Sequence, residues 1–390
     1  MSMKLEKVLT RGVEAIYPSK EELLNVLKTG RKLRIYNGID PTSPNLHLGH
    51  MVILRKLAQF QNLGHEIILL IGDFTGMIGD PTGKLSTRKQ LSHSEVLKNA
   101  AGYKNQASKI LKFTGKNPAV IKYNSQWLAK ISLEEWFKLA ALVTYQQLIE
   151  RDMFQKRIKQ GKDIFLHELF YPLIQAYDSV VLDVDLEIGG TDQTFNMLMG
   201  RRLAKKLKKK EKFVLTTKLL TDPTGVKMGK TTGNMINLDE NPNDMFGKIM
   251  SLPDKALPSF FELLTEVESD EISKNPLEAK KLLATEILKQ LFSETEAKKA
   301  KEEFERVFQK RQTPVAAPIF KPKAKTYGIT DLLVEANLAK SKSEAKRLVE
   351  QGAVDVNQAK ITNPQTAVIT KEGTIIRVGK YKFIQIGKQK

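Results

Sequence analysis

The sequence predicts an α/β protein built on a parallel sheet, with a helical segment after it and a small α+β module at the C-terminal end. Short apolar strands are predicted at Leu33–Tyr36 and Ile67–Ile71, with helical apolar spacing between them at Met51–Leu63. Strand, helix and strand in this order form a right-handed βαβ unit, whose two strands are parallel. A second strand-to-helix junction, with two glycines, follows Leu186–Ile188. In such sheets ligands bind beyond the carboxyl ends of the strands, so both junctions are expected to carry functional residues.

The remaining chain divides into segments of different composition. Residues 1–230 are predicted as the sheet domain, in which residues 81–168 form a mostly helical insertion. Residues 231–325 are helical and charge-rich, and they end in a proline-containing linker from Gln312 to Lys325. Residues 326–390 are predicted as a separate unit, in which Ser341 and Glu344 form a capping box at the start of a helix.

Composition and charge limit the class of protein. The chain has 390 residues, 41% of them hydrophobic and 27% charged, as expected for a globular protein of two or three domains. It has no cysteine, which excludes disulfides and thiolate metal sites, and no metal site or tightly bound cofactor is predicted. No apolar run approaches the roughly 20 residues that cross a bilayer, and Met1–Glu6 resemble no signal segment, so a cytoplasmic protein without a membrane partner is expected.

The charge balance favours a polyanionic partner. Lys and Arg number 63 against 44 Asp and Glu, which gives a net charge of +19. A basic surface attracts nucleic acids, although a soluble protein with no such partner stays open on charge alone.

The first junction, Asp40–His50, contains two histidines three residues apart at a predicted helix start. Both rings of His47 and His50 therefore project from one face, beside the partial positive charge of the helix terminus. Gly49 between them lets a ligand approach the backbone closely. This arrangement favours phosphate binding, whereas the residues alone leave capping histidines, surface histidines or a metal pair as alternatives.

Two motifs together carry a family resemblance. His47–His50 (His-Leu-Gly-His) resembles the HIGH motif of class I aminoacyl-tRNA synthetases, and Lys227–Thr231 (Lys-Met-Gly-Lys-Thr) is similar to their KMSKS motif with both serines replaced. A Lys-x-x-Lys segment alone is usually a solvated loop, but the order and separation of the two motifs match the family. The tyrosyl branch resembles this sequence along nearly its whole length. The resemblance implies a Rossmann-like catalytic domain and a C-terminal S4-like RNA-binding domain.

The resemblance implies that ATP, with Mg²⁺, is a substrate. The tyrosine carboxylate would attack the α-phosphate, pyrophosphate would leave, and the tyrosyl group would pass to tRNA(Tyr). Catalysis would then be mainly electrostatic stabilisation of phosphate charge. The implied catalytic residues are Thr42, His47, His50, Lys84, Arg88, Lys227 and Lys230. The implied ATP contacts are Asp40, Gly49, Asp192 at the ribose, and Lys230.

A polar helical face marks the predicted amino-acid pocket. Tyr171, Gln175 and Asp178 are spaced i, i+4 and i+7, so they share one face, which is either a satisfied core network or a binding site. By the resemblance, Tyr36 and Asp178 would bind the phenol hydroxyl. The ammonium would be bound by Asp80, Tyr171 and Gln175, with Gln193 near the carboxylate. An empty pocket is expected to leave Asp178 and Tyr36 unpaired, which would disfavour phenylalanine.

The C-terminal segment supplies the predicted RNA contacts. Its helix–turn–helix pattern, Asp331–Gln351, resembles an S4 module and contains Lys340, Lys342, Lys346 and Arg347. The basic run Arg201–Lys212 is interpreted as a solvated face instead.

The family is homodimeric, so a dimer through the apolar Leu133–Ile149 region is expected. Two rival functions remain: a tryptophanyl enzyme of the same fold, and a non-catalytic RNA-binding relative. Tyr36, Asp178 and the S4-like segment argue against the first, and the intact ATP motifs argue against the second.

Overall fold

The computed structural model describes residues 2–82, 90–221, 235–309, 318–357, 359–379 and 382–388. The strands within these ranges are β1 (Val13–Tyr17), β2 (Arg34–Ile39), β3 (Glu66–Ile71), β4 (Val120–Tyr123), β5 (Leu186–Gly190), β6 (Phe213–Thr217), β7 (Ile319–Phe320), β8 (Thr326–Gly328), β9 (Val354–Val356), β10 (Ala359–Ile361), β11 (Ala367–Ile369), β12 (Ile375–Val378) and β13 (Lys382–Ile386).

The helices up to the second sheet junction are α1 (Ser2–Thr10), α2 (Lys20–Lys28), α3 (Leu48–Asn62), α4 (Thr75–Ile78), α5 (His93–Ala100), α6 (Tyr103–Ala107), α7 (Ser125–Leu128), α8 (Leu133–Ala140), α9 (Tyr145–Ile149), α10 (Asp152–Lys159) and α11 (Leu166–Val181). The later helices are α12 (Thr194–Lys208), α13 (Pro242–Met250), α14 (Leu257–Leu264), α15 (Pro276–Leu291), α16 (Glu294–Phe304), α17 (Ile329–Glu335) and α18 (Lys342–Glu350). Short 3₁₀ turns lie at Thr191–Gln193, Asp254–Ala256 and Ser269–Glu271, and a π-helical turn at Glu305–Gln309.

A six-stranded sheet is the centre of the first compact unit, Met1–Asn241 with Ser251–Ser293. Its strand order is β1-β6-β5-β2-β3-β4, and all neighbours are parallel except β1, which runs antiparallel to β6. The predicted βαβ unit is confirmed, since β2 and β3 pair in parallel along their full length. Ile35, Tyr36 and Ile39 of β2 and all of Ile67–Ile71 in β3 are buried, as expected for parallel strands covered on both faces.

Helix α3 connects these strands and ends where the sequence predicts. Leu54, Leu57 and Phe60 are fully buried on its inner face. Gly64 takes φ +94, a left-handed conformation that favours glycine after a helix. The chain then re-enters the sheet at once, because the Glu66 amide donates to Leu33 O at 2.9 Å.

The segment predicted as a helical insertion also contributes to the sheet. Helices dominate the described part of residues 81–168, but β4 pairs in parallel with β3 as the edge strand. Residues 81–168 are therefore not an insertion separate from the sheet. Strand β4 is short and alternates exposed with half-buried residues, so it lacks the continuous apolar pattern of β3.

The second compact unit consists of Pro242–Met250 and Glu294–Lys390. Helices α13 and α16 pack together in it, with the rings of Phe246 and Phe304 5.4 Å apart. The predicted helical segment 231–325 is thus shared between the two units. Part of the predicted linker is structured, since β7 pairs in parallel with β13 and belongs to the C-terminal fold.

The C-terminal fold has its own core. A five-stranded sheet in the order β10-β9-β12-β13-β7 and a β8–β11 pair accompany α17 and α18. The core includes Leu332, Leu333, Val349 and Ile376, each fully buried. Half of the predicted capping box is present, because Ser341 accepts from the Glu344 amide while the Glu344 carboxylate accepts from Lys340 N. Among the helices that the structure describes, none is long and apolar enough to cross a membrane.

Candidate active site

The predicted site residues gather at the carboxyl edge of the central sheet. Asp40 follows β2 directly, the 3₁₀ turn Thr191–Gln193 follows β5, and Asp80 lies beyond β3 and α4. Hydrogen bonds join residues from these different strands, as described below. The structure therefore brings the predicted site residues together at the carboxyl ends of parallel strands, where ligands bind in such sheets.

The two histidines form a reciprocal cap at the start of α3. His47 Nδ1 accepts from Gly49 N and His50 Nδ1 accepts from His47 N, each at 3.1 Å, and the ring centroids are 4.0 Å apart. Because both Nδ1 atoms accept, each neutral ring carries its proton on Nε2 and can donate from there. Gly49 is required by the motif itself, since a Cβ there would lie 2.9 Å from His47 Cε1. Two imidazole donors thus stand at a helix N-terminus, an arrangement suited to an anion.

The lysine motif Lys227–Thr231 lies outside the described residues, as do Lys84 and Arg88. The chain just after that motif is described and returns to the histidine motif. Leu48 N donates to Ile236 O at 3.0 Å and Leu238 N donates to Leu46 O at 2.9 Å, as an antiparallel bridge between His47 and Asn237. The described chain therefore pairs with the histidine motif from Ile236 onward, five residues after Thr231 in the sequence.

Asp40 joins the end of β2 to helices α4 and α11. Its Oδ1 accepts from Thr75 Oγ1 at 2.6 Å and its Oδ2 accepts from the Tyr171 hydroxyl at 2.8 Å. Burial and the charge of Asp40 raise the pKa of Tyr171 well above its ordinary value, so the phenol stays a neutral donor. A Cβ at Gly72 would collide with Asp40 Oδ1, which explains the glycine after β3. Thr42 lies two residues on, where its amide donates to Asp40 O at 2.8 Å.

Asp80 and Gln193 meet from opposite halves of the sheet. Gln193 Nε2 donates to Asp80 Oδ2 at 2.7 Å, while the amide and hydroxyl of Thr82 donate to Asp80 Oδ1 at 2.9 and 2.6 Å. These contacts hold the carboxylate in one orientation. The residues are 113 positions apart in the chain, so the pairing depends on the sheet topology.

Gln175 presents a buried acceptor with no partner. Its Oε1 has no hydrogen-bond donor, one helical turn along α11 from Tyr171. An unsatisfied buried oxygen is costly, and such an atom in a native protein indicates a missing ligand or water. With the carboxylates of Asp40 and Asp80 acting on the same helix face, the missing partner is best matched by a cationic donor such as an ammonium group.

Asp178 and Tyr36 are both buried, with 2% and 1% of their surfaces exposed. Asp178 Oδ1 accepts from Trp127 Nε1 at 2.8 Å and its Oδ2 accepts from Asn124 Nδ2 at 3.2 Å. The Tyr36 hydroxyl lies 2.8 Å from Ser179 Oγ. The expectation that an empty pocket leaves Asp178 and Tyr36 unpaired is therefore wrong. A carboxylate has about four acceptor positions, so Asp178 retains capacity for a further donor.

Asn124 and Trp127 are site residues that sequence reasoning missed. Asn124 follows β4 as the N-cap of α7, and Trp127 lies in that helix. Asn124 also donates to Thr75 Oγ1 at 3.0 Å. Had β4 been recognised as a sheet strand, its carboxyl end would have been searched like those of β2 and β5.

Asp192 lies in the turn after β5, where Gly190 leaves room for its side chain. A Cβ on Gly190 would lie 2.6 Å from Asp192 Oδ1. A cavity of about 750 Å³ adjoins Asp192. Its lining also includes Arg151, another missed residue, whose Nη2 donates to Thr82 Oγ1 at 2.5 Å while its Nη1 is buried without a partner. The cavity therefore combines space with a cationic donor.

The four predicted RNA contacts are exposed on one part of the second unit. Lys340 lies in the turn before α18, and Lys342, Lys346 and Arg347 lie on that helix. Lys342 pairs with Asp331 at 2.6 Å, so part of the charge is neutralised locally.

Comparisons with known proteins agree with this geometry. A family model described as tRNA synthetases class I (W and Y) matches residues 28–309, and one described as the tyrosine–tRNA ligase SYY-like C-terminal domain matches residues 309–390. The tyrosine–tRNA ligase of Aquifex aeolicus is 45% identical over 386 residues, and tyrosine–tRNA ligase 2 of Vibrio parahaemolyticus is 46% identical over 391. Each alignment covers 97% of both chains.

Solved structures show the same fold at lower identity. A C-terminally truncated mitochondrial tyrosyl-tRNA synthetase from Aspergillus nidulans superposes with a TM-score of 0.65 at 24% identity, covering 78% of this chain and 94% of that one. The tyrosyl-tRNA synthetase of Archaeoglobus fulgidus, complexed with L-tyrosine, gives a TM-score of 0.59 at 23% identity, covering 77% of this chain and 99% of that one.

Burial of Asp178 predicts an unusual pH dependence of stability. Burial raises the pKa of Asp178 well above its ordinary value of 3.8, against the opposing hydrogen bonds from Asn124 and Trp127. The folded state then holds this proton more tightly than the unfolded state. Its contribution to stability is fully present below pH 3.8 and is lost as the pH rises through the folded pKa, by at most about 1.4 kcal/mol per pH unit.

Urea unfolding of the wild type and Asp178→Asn from pH 4 to pH 8 measures this contribution. The difference in unfolding free energy should move in favour of the variant as the pH rises, whatever constant offset the amide introduces. A pH-independent difference would contradict the raised pKa.

Proposed function

The chain belongs to the tyrosine–tRNA ligase family of the class I tRNA synthetases, and on that basis we propose a role for each residue of the site. The family reaction joins tyrosine to tRNA with ATP as the second substrate. The observation that carries the assignment is the face of α11, with the orphan Gln175 Oε1 toward one end and the buried Asp178 carboxylate toward the other.

The ammonium end of tyrosine would lie between Tyr171, Gln175 and Asp80. The unpartnered oxygen of Gln175 would accept one ammonium proton, and the carboxylates would compensate the positive charge. Gln193, which donates to Asp80, would lie beside the tyrosine carboxylate. The phenol end would lie one turn further along α11 at Asp178, a rise of about 4.5 Å from Gln175.

The phosphates of ATP would lie at the N-terminus of α3. Donors at Nε2 of His47 and His50 and the helix terminus face the same side, and Thr42 lies on the preceding loop. Gly49 and Asp40 would border the nucleotide, and Asp192 would accept hydrogen bonds from the ribose. Lys84, Arg88, Lys227 and Lys230 would approach the phosphates from the other side.

The first reaction step follows from this placement. A tyrosine carboxylate oxygen attacks the α-phosphorus, a new P–O bond forms, and the bond to the bridging oxygen breaks with release of pyrophosphate. Negative charge grows on the leaving phosphates, so the imidazole and lysine donors act mainly on the transition state. Among the described residues no group of three or more His, Asp or Glu side chains could hold a metal ion. We expect Mg²⁺ to enter as the ATP complex, its usual form with nucleotides.

The C-terminal module would hold tRNA(Tyr). Four exposed basic residues on and before α18, together with the family match over residues 309–390, support that role. Single-stranded loops and backbone phosphates are the usual targets of such modules. We propose the cytoplasm as the compartment, because uncharged tRNA, tyrosine and ATP are available there together.

The apolar face around α8 and α9 supports a homodimer. Leu133 and Phe137 are 70% and 65% exposed, and Tyr145 at the start of α9 is 61% exposed. Several large apolar side chains exposed in one region are typical of an interface rather than of a free surface.

Variants at the two ends of the site should affect different kinetic constants. Gln175→Leu should raise the KM for tyrosine about tenfold or more, since it removes an acceptor for the ammonium group, and should leave the KM for ATP nearly unchanged. His50→Ala should slow adenylate formation at saturating tyrosine, because its contact strengthens as charge develops on pyrophosphate. Tyrosine-dependent ATP–pyrophosphate exchange and single-turnover kinetics measure both effects. If each variant changed the KM for tyrosine and the rate of adenylate formation to the same extent, the assignment would be refuted.

Loss of the C-terminal module should separate the two half-reactions. A chain ending at Ala317 retains every proposed adenylation residue, so pyrophosphate exchange should persist while tRNA charging at low tRNA concentration falls sharply. In the full chain, the combined change of Lys340, Lys342, Lys346 and Arg347 to Gln should weaken charging and flatten its salt dependence. Matched Gln substitutions at the exposed Lys298 and Lys299 serve as the control. If the shortened chain charged tRNA as fast as the full chain, this module would not be the part that binds tRNA.

Sedimentation at micromolar concentration should show a dimer of about 88 kDa, twice the mass of the 44.0 kDa chain. Phe137→Asp places a charge in the proposed interface and should give monomers, because an unpaired buried charge is costly. Ile369→Asp, at an exposed apolar residue of the second unit, should leave the mass unchanged. A monomeric wild type, or a Phe137→Asp variant that stays dimeric, would exclude this interface.

A further inference from the structure

A buried polar cluster adjoins the Tyr36 hydroxyl. It consists of Ser179, Glu187 and Lys212, with 1%, 3% and 0% of their surfaces exposed. Lys212 Nζ donates to the Glu187 carboxylate, to Ser179 Oγ at 2.8 Å and to Met197 O at 3.3 Å. None of these residues belongs to the adenylation site described above, yet Ser179 contacts the Tyr36 hydroxyl directly.

The fold provides space for this cluster. Gly200 lies on the inner side of α12, where a Cβ would be 2.6 Å from Lys212 Nζ and 2.7 Å from Ser179 Oγ. Any other residue at this position would displace the ammonium group or the hydroxyl. Burying a lysine ammonium group costs free energy unless the group is paired and hydrogen-bonded. The three partners of Lys212 and the glycine beside it meet this requirement.

The numbers of donors and acceptors in this cluster limit how Ser179 can be hydrogen-bonded. An ammonium group has three N–H donors, and Lys212 has three acceptors, one of which is Ser179 Oγ. Ser179 therefore accepts from Lys212 and has one proton left to donate. Two acceptors compete for it, the Tyr36 oxygen at 2.8 Å and Glu187 Oε2 at 3.3 Å. The first distance is the usual O–H···O length and the second is long, so the arrangement in which Ser179 donates to Tyr36 has the better geometry.

The direction of this bond determines what Tyr36 can offer a ligand. If its oxygen accepts from Ser179, its own proton is left for another acceptor. Two are in reach: the Glu187 carboxylate, which already accepts from Lys212, and a phenol bound beside Asp178. Burial and the charges of Glu187 and Asp178 raise the pKa of Tyr36 well above its ordinary value, so that proton is retained. With this proton turned to the ligand, the site presents one donor, Tyr36, and one acceptor, Asp178, which a phenol hydroxyl satisfies together.

We propose that Ser179, held by the Lys212–Glu187 ion pair, is a positioning residue that sets the amino-acid specificity of the site by orienting the Tyr36 hydroxyl proton toward the substrate. The proposal rests on the phenol position given under the proposed function. Phenylalanine has no oxygen that could accept the oriented proton of Tyr36. 4-Aminophenylalanine can donate to Asp178, but its amine is a poor acceptor for Tyr36, so it tests the direction of the bond.

A double-mutant cycle on the full-length protein tests the link. Ser179→Ala should lower the preference for tyrosine over phenylalanine, as the ratio of kcat/KM in pyrophosphate exchange, by about tenfold, and the preference over 4-aminophenylalanine by about fivefold. The KM for ATP should not change. In a Tyr36→Phe background, the same substitution should have no further effect, because the group through which it acts is absent.

Two further variants separate specificity from stability. Thr265→Ala removes another buried hydroxyl, which donates to Phe261 O at 2.8 Å, and should leave both preferences unchanged. Lys212→Met combined with Glu187→Leu replaces the ion pair by apolar residues of similar size, which buried pairs often tolerate. It should lower the preferences as Ser179→Ala does, even if that single variant folds poorly.

The possible outcomes separate the positioning role of Ser179 from the proposed position of the phenol, on which that role rests. If Tyr36→Phe alone leaves the tyrosine preference unchanged, the phenol position is wrong and the proposal falls with it. If Tyr36→Phe reduces the preference but Ser179→Ala does not, only the positioning role is overturned. An equal effect of Ser179→Ala with and without Tyr36 also overturns it, because the serine would then act through general packing.

Discussion

Parallel pairing of β2 with β3 on one side and β5 on the other is the constraint on which the candidate active site depends. Parallel strands end at the same edge of a sheet, so residues that follow them converge however far apart they lie in the chain. Asp40, Asp80 and Asp192 reach one region for this reason. The glycines after these strands serve the same end, because Gly72 and Gly190 leave the space that the neighbouring carboxylates occupy.

Helix α11 gives this edge two chemically different ends. Tyr171 and Asp178 on its buried face have protein partners, whereas the buried oxygen of Gln175 has none. A fully apolar face would be more stable in isolation, so this polar face is a compromise between stability and the proposed binding role, in which the substrate would supply the missing partner of Gln175.

The sequence alone predicts those parts of the fold and of the candidate site that depend on local patterns. The βαβ unit, Gly64 and the histidine pair follow from apolar periodicity and helix-terminus chemistry, and the structure confirms them. Asn124, Trp127 and Arg151 leave no such pattern. They act through contacts made across more than 50 positions, and the strand that presents the first two is too short and too exposed to show apolar periodicity. Long-range register, rather than local propensity, decides such contacts.

The hydrogen bond from Trp127 to Asp178 gives the protein an internal optical reporter. The chain has only two tryptophans, and the other, Trp136, packs edge-on against Phe170 with ring centroids 5.2 Å apart. An indole whose N–H is bound to a buried carboxylate is sensitive to any change in that carboxylate's charge or partners. Under the proposed assignment, a phenol bound at Asp178 would change the surroundings of Trp127, and the emission of this tryptophan would report ligand exchange in unlabelled protein.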